Sequence, residues 1–313
     1  MERLAGDTPF PAHLRNGIIA LGNFDGFHAG HQAVARHAID WARREKRPAI
    51  IATFDPHPVR YFKPDIAPFR LTSLDQREKL FAEAGADAML VFHFDKQLAS
   101  TSAQDFIGQL LIERFGAAGV VTGEDFTFGH KRGGDIAFLK TEGAKLGLES
   151  AAVGPVADGS EIVSSSRIRA ALQAGNCAEA MRLMTRPFAV RGIVQHGDKN
   201  GRQLGYPTAN LDMGNYLRPA YGVYAVTGQL PDGRVVNGAA NMGIRPQFDP
   251  PKELLEPYFF DFSEDLYGQT IEVAFHAYIR AEARFESLDA LKQQMAADCV
   301  KARELLASAG RHA

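Results

Sequence analysis

Cysteine is nearly absent from this chain: Cys177 and Cys299 are the only two in 313 residues, and neither has a Cys or His at metal-ligand spacing. That excludes a disulfide scaffold and a thiolate zinc site, so both read as reduced thiols of a cytosolic protein. Long apolar runs are missing as well. None approaches the ~18 residues that a membrane span needs, and residues 1–17 carry no apolar core of a secretory signal. An excess of one charge sign is lacking too. With 35 Lys and Arg against 37 Asp and Glu, the formal net charge is -2, which gives no electrostatic reason to expect nucleic acid or an acidic membrane. No P-loop or HRD-type loop occurs, so neither kinase class applies. Internal repeats and low-complexity tracts are also absent. What is present, 45% apolar and 23% charged residues, is ordinary globular composition, and the length suits two domains of roughly 150 residues. The expectation is a soluble, cytoplasmic, two-domain enzyme.

Short apolar runs at 17–24, 49–54, 88–94 and 118–123 alternate with helical patterns, one starting near His31 and one at Ser73. Runs with little polar alternation suit strands buried on both faces, and βαβ alternation implies a doubly wound parallel sheet. Ligands of such sheets bind beyond the carboxyl ends of the strands. The pattern changes at Arg186-Pro187, where a β series begins, with a hairpin turn at Pro231-Asp232-Gly233. A last helix carries Leu288, Leu291, Met295, Cys299, Ala302 and Leu306 three or four apart, a packing stripe. Residues 187–313 therefore predict a small antiparallel barrel with a terminal helix, and residues 1–186 the α/β domain.

The sharpest signal in the first half is 22–31, GNFDGFHAGH, at a strand-to-helix junction. Helix N-termini favour phosphate. Gly30 permits close approach of ATP, and His28 and His31 can stabilise charge developing on its α-phosphate. A lone His-x-Gly-His recurs by chance; its placement makes it informative. At 164–169, SSSRIR opens another helical stretch, and hydroxyls of Ser164 and Ser165 with Arg169 one turn in suit a triphosphate tail. The plain alternative for that stretch is a serine helix cap.

In the second half, Gly197, Gly201 and Gly205 let a loop fold round phosphate, with Lys199 and Arg202 available for its charge. Thr208 and Asn210, two apart in an extended segment after Pro207, point to one side and can offer neutral oxygens to one Mg²⁺ shared with ATP. Glu256, on an otherwise apolar strand, is the candidate base, since desolvation raises a carboxylate's pKa. The competing reading is a solvent-facing strand residue. Asp261, Asp265 and Glu282 are the fallback bases.

Taken together, GNFDGFHAGH, TFDPHP (53–58), GEDFTFG (123–129) and SSSRIR resemble the adenylyltransferase half of the bacterial bifunctional riboflavin kinase/FAD synthetase family. GRQLGYPTANL, GVYAV, NMGIRPQF, FDFSEDLYG and IRAEARFESL resemble its kinase half. The resemblance implies phosphorylation of riboflavin to FMN and adenylylation of FMN to FAD, with ATP as co-substrate and Mg²⁺ as cofactor. It implies that Gly22, Asn23, Phe24, His28, Gly30 and His31 hold the adenylyltransferase ATP, and that Ser164, Ser165 and Arg169 take its β and γ phosphates. His57, Asp125, Phe126 and Phe128 would line the FMN side. In the kinase half, Thr208 and Asn210 would bind Mg²⁺ and Glu256 would deprotonate the ribityl hydroxyl. One departure stands out: Pro257 follows Glu256, and a proline is expected at a strand edge or bulge. Rival readings are a single-activity enzyme, a non-catalytic flavin-binding regulator, and a nucleotidyltransferase for another phosphate.

Overall fold

The computed structural model describes residues 1–196, 205–245 and 252–309. The chain forms two compact units, Met1–Ile66 with Leu74–Val163, and Ala67–Ser73 with Ser164–Ala313.

The first unit begins β1 (Glu2–Ala5), β2 (Ile18–Leu21), α1 (Ala29–Glu45), β3 (Ala49–Asp55), α2 (Pro58–Phe62), α3 (Leu74–Ala84) and β4 (Ala88–His93). It continues with α4 (Lys96–Ser100), α5 (Ala103–Asp105) running into a π-helical stretch Phe106–Arg114, β5 (Gly119–Gly123), α6 (Ile136–Lys145) and β6 (Glu149–Val153). A two-stranded hairpin, β7 (Ala157–Asp158) and β8 (Glu161–Ile162), closes it. The six-stranded sheet is parallel throughout, in the order β1-β4-β3-β2-β5-β6. Ile18, Ile19, Ala20 and Leu21 are all buried, as their unbroken apolar run requires. Periodicity reads the four inner strands and misses β1 and β6, because edge strands of sequence ERLA and ESAAV carry too few large apolar residues. From β2 the chain winds one way to β3 and β4, then returns to add β5 and β6 on the other side. The strand order thus reverses beside β2, and the carboxyl end of β2 opens onto the crevice this creates.

The second unit holds α7 (Ser165–Gln173), α8 (Cys177–Met184), β9 (Phe188–Ile193), β10 (Leu211–Asp212), β11 (Gly222–Gln229), β12 (Val235–Arg245), β13 (Lys252–Phe259), β14 (Thr270–Arg280) and α9 (Leu288–Ala309). Its strands pair antiparallel in the order β10-β13-β12-β11-β14-β9. The two ends of that order meet where Gln195, just past β9, bridges to Asn210, just before β10. The sheet therefore curls into a barrel filled by Val190, Tyr224, Met242, Leu255 and Phe275. On its outside, Ala302 and Leu306 of α9 pack on Ala225, Ala239 and Phe260. The expected helix stripe holds except at its first member, since Leu288 stands 67% exposed at the first turn. The hairpin turn lies where expected, with Gly233 at φ 89° and the Leu230 N–H bonded to the Arg234 carbonyl.

The pattern changes at Arg186-Pro187, whereas the compact units divide at 163/164. The reason is burial. Cys177, Ala180, Leu183 and Met184 form the apolar face of α8, which packs against β9 and β14.

Candidate active sites

In the first unit, α1 starts where β2 ends. His28 is its N-cap, and the His28 Nδ1 accepts the His31 N–H at 3.4 Å. A neutral His28 ring so engaged carries its proton on Nε2 and is a donor there. The two imidazoles stack, with ring centroids 3.7 Å apart and planes at 21°. A side chain at position 30 would crowd this pair, because a Cβ would lie 3.2 Å from the His28 ring. Gly30 thus gives the stack room as well as leaving access. Phe24, expected to touch nucleotide, is 1% exposed; it packs edge-on to His31 at 5.4 Å and to Phe81 at 5.8 Å. Its side chain supports the His31 ring, which leaves its backbone groups for the expected nucleotide contact. Gly22 leaves room for the Phe24 ring, 3.3 Å from where its Cβ would stand. The Asn23 carbonyl accepts from the Thr53 hydroxyl at 2.8 Å and from buried Arg77 at 3.2 Å. The Asn23 Oδ1 is buried without a hydrogen-bond partner. An orphan acceptor at this strand end fits a ligand that brings donors, as an adenine amino group or a ribose hydroxyl does.

Next along the sheet's carboxyl edge, His57 caps α2 through its Nδ1, which accepts the Val59 N–H at 3.1 Å. That is the local role a histidine between prolines commonly takes. The helix it starts presents Tyr61 and Phe62 beside Phe94, with centroid separations of 5.1 to 5.8 Å. Phe62 is 65% exposed. Sequence reading missed this aromatic group; the signal was the aromatic pair Tyr61-Phe62, which follows TFDPHP after Val59-Arg60. Asp125 is exposed and folds back over Gly123, where a Cβ would sit 2.9 Å from its Oδ1. Phe126 stacks on Phe128 at 5.9 Å. Phe128 is 7% exposed and also packs on Phe106 of the core.

In the second unit, Ser164 does cap α7, its Oγ accepting the Arg167 N–H at 3.2 Å. Capping uses the oxygen lone pair and leaves the hydroxyl proton to donate, so the plain and the phosphate readings coexist. Ser165 is the first helical residue, and the Arg169 Nε donates to the Phe69 carbonyl at 2.8 Å.

On the barrel, register assembles the site. Leu211 pairs with Leu255, and the Ala209 N–H donates to the Pro257 carbonyl at 2.9 Å, extending the same register. Asn210 then lies directly opposite Glu256, and Thr208 opposite Tyr258. On the far side of β13, Asn241 of β12 pairs with Glu256. Leu211, Leu255 and Met242 fill the interior, so Asn210, Glu256 and Asn241 share the outer face. Directly opposed side chains of this kind start about 5 Å apart. Asn241, missed in the sequence, donates to Glu282 at 3.4 Å. Gly243 makes room for that carboxylate, which a side chain there would overlap.

β13 lies between β10 and β12, but β10 pairs only with Leu254 and Leu255, so Pro257 stands just past the end of that ladder. In an antiparallel strand the nitrogen and carbonyl of one residue face the same neighbour. The Pro257 carbonyl faces Ala209, so the missing N–H is lost on that side and the β12 ladder is intact.

Of the fallback bases, Asp261 is held by Arg303 at 2.9 Å, and the Asp265 Oδ1 accepts the Tyr267 N–H at 2.9 Å. Beside Thr208 a cavity of about 330 Å³ is lined by Ala209, Phe259, Phe262, Leu266 and Tyr267. Among the described residues no group of three His, Cys, Asp or Glu could cage a metal. Two neutral oxygens beside a carboxylate instead fit Mg²⁺ arriving with nucleotide phosphates. Gly205 is described, at φ 87°; Gly197, Lys199, Gly201 and Arg202 lie outside the described residues.

A family model for FAD synthetase matches residues 10–167, and one for riboflavin kinase matches residues 184–306. Bifunctional riboflavin kinase/FMN adenylyltransferases are similar over most of their length. The Escherichia coli K12 protein is 38% identical over 92% of both chains, and that of Pseudomonas fluorescens 39% over 95% of both. A solved structure from Streptococcus pneumoniae, described as a macrolide-efflux protein, superimposes with a TM-score of 0.84 at 32% identity, covering 95% of this chain and 97% of that one. Among the described residues here, no helix is long and apolar enough to cross a membrane. Two family models in tandem, with relatives 38–39% identical over more than nine-tenths of the chain, make this chain a member of the bifunctional riboflavin kinase/FMN adenylyltransferase family.

Proposed function

We infer that the chain phosphorylates riboflavin to FMN with one ATP, and joins FMN to the adenylyl group of a second, giving FAD and pyrophosphate. The observation that carries this reading is that each matched half has its own phosphate-directed constellation: the stacked His28 and His31 at a helix start, and the Thr208, Asn210 and Glu256 row.

In the kinase step, Glu256 accepts the proton of the terminal ribityl hydroxyl as its oxygen bonds to the γ-phosphorus, and ADP leaves. Thr208 and Asn210 are the residues that would hold Mg²⁺ against the nucleotide, and Asn241 flanks Glu256 on the other strand. The Mg²⁺ supplies neutralisation of phosphate charge. The cavity beside Thr208 takes the nucleotide, and Lys199 and Arg202 are the cations that would answer the charge of its phosphates.

In the adenylyl step, an FMN phosphate oxygen attacks the α-phosphorus and pyrophosphate leaves. No enzyme nucleophile is needed; the work is positioning and charge stabilisation. His28, donating through Nε2, and His31 stabilise the α-phosphate. Ser164, Ser165 and Arg169 hold the leaving phosphates, and the Asn23 Oδ1 accepts from the nucleoside. Exposed Phe62 offers a flat face to the isoalloxazine ring. Asp125 and Phe126 border the same strand ends. Riboflavin, ATP and Mg²⁺ incubated with the protein are expected to give FMN and then FAD, resolved by chromatography. FMN without FAD, or neither, would defeat the bifunctional reading.

A further inference from the structure

Residues 67–73 belong in space to the second unit, although the chain on both sides of them builds the first. Arg70 makes a parallel bridge with Tyr216, through its N–H to the Asn215 carbonyl at 3.1 Å and its carbonyl from the Leu217 N–H at 2.8 Å. Leu71 and Thr72 are buried, and the Ser73 side chain hydrogen-bonds Tyr216. Phe69 is therefore held one residue from a fixed backbone pairing. Its carbonyl accepts the Arg169 Nε at 2.8 Å, and its ring lies 5.1 Å from the Arg169 guanidinium carbon. One arginine is thus gripped at Nε and stacked on a ring face by a single residue.

We propose that Phe69 is a positioning residue for adenylyl transfer, holding the Arg169 guanidinium ready for the triphosphate. The proposal rests on the assignment of Arg169 to the leaving phosphates. A long side chain loses rotamer freedom when it grips a ligand, and one already fixed has less to lose. With Nε spent on a carbonyl, phosphate recognition falls to the two η nitrogens, whose plane the ring sets. Phe69 lies in no catalytic motif of the sequence, and its backbone is set by residues 215–217, inside the half matched by riboflavin kinase. The arginine of one activity is thereby aligned by the packing of the other.

Phe69→Leu in the full chain tests this, since it keeps the carbonyl and the apolar bulk and removes only the ring face. The expected result is an ATP KM for FAD formation from FMN raised about fivefold, with kcat within about twofold. A grip shared by ground and transition states acts on KM. Phe69→Tyr, which keeps the ring, is expected to restore the wild-type KM, and both variants to phosphorylate riboflavin normally. Arg169→Ala is expected to raise KM further, and adding Phe69→Leu to it to change nothing more. A wild-type KM in Phe69→Leu, or a full additional loss on top of Arg169→Ala, would overturn the positioning role. Riboflavin phosphorylation lost along with FAD formation would make Phe69 a structural brace and overturn it too. Normal adenylyl transfer by Arg169→Ala would overturn instead the assignment of Arg169 on which the proposal stands.

Discussion

On the parallel sheet, His28, Gly30 and His31 are neighbours in sequence, and a single turn after β2 delivers all three to one helix start. On the barrel, Thr208, Asn210, Asn241 and Glu256 come from three chain segments and meet only through strand pairing. The first arrangement depends on one local conformation and on the dipole of one helix. The second depends on register, where a slip by one residue would turn Glu256 into the interior and Leu255 outward. Local delivery makes a site that sequence announces, and assembly across strands makes one that every anchor of the barrel helps to hold.

The largest effect tests the assembled site. Glu256→Gln keeps the shape of the side chain and loses its basicity, so kcat for FMN formation is expected to fall by about 10²–10⁴. Binding of riboflavin and MgATP is expected to change little, as titration calorimetry would record. A wild-type kcat would make Glu256 a plain strand residue and move the search to Glu282, which shares its neighbour Asn241.

For the local site, His28→Ala combined with His31→Ala is expected to cut FAD formation from FMN by at least about 10²-fold and to leave riboflavin phosphorylation intact. Were phosphorylation to collapse in a folded double variant, the two sites would not be separate and the comparison would break.

Asn210→Ala sharpens the division of labour within the row. On the proposed assignment it removes a metal oxygen rather than a base, so apparent Mg²⁺ affinity is expected to weaken by roughly 10–100-fold together with turnover. Turnover that recovers at high Mg²⁺ would match this, and loss of kcat alone at saturating Mg²⁺ would contradict it.

The smallest effect concerns the anchor of β13. Glu253, three residues before Glu256, takes hydrogen bonds from Tyr221 and from the Arg218 Nε, the latter at 2.7 Å. Burial pushes its carboxyl pKa up, but those two bonds and the charge of Arg218 outweigh it and hold it below the usual carboxylate range. A lowered folded value means stability present above the unfolded pKa of about 4.3 and lost as pH falls through the folded one. Glu253→Gln is thus expected to cost less than about 1 kcal/mol at pH 7 for this partly exposed pair. The gap should close as the pH drops below about 4, which urea unfolding at the two pH values would measure. A gap that did not change with pH would remove the ionised carboxylate from the account.

Legibility followed the same division. Ile18–Leu21 and Ala49–Asp55 read as buried strands because both faces demand apolar side chains. GNFDGFHAGH read as a site because all of its parts are contiguous. A motif lists residues without saying which way each one turns, and the side chains of Phe24 and Phe128 turn into the core. Asn241 was invisible, since nothing near it marks it as the partner of Glu256, and Pro257 looked like a break because the side on which its N–H is missing depends on the neighbouring chain.

The sequence by itself determined the two element grammars, the order of the motifs and the residue types at each proposed phosphate site, since periodicity, turn chemistry and helix capping act over a few residues. Only the tertiary structure decided that Asn210, Glu256 and Asn241 form one row, that α8 packs with the barrel, and that Phe69 lies under Arg169. Those facts rest on hydrogen-bond register and shared burial between segments tens of residues apart, and no local pattern encodes which distant partner completes a buried face.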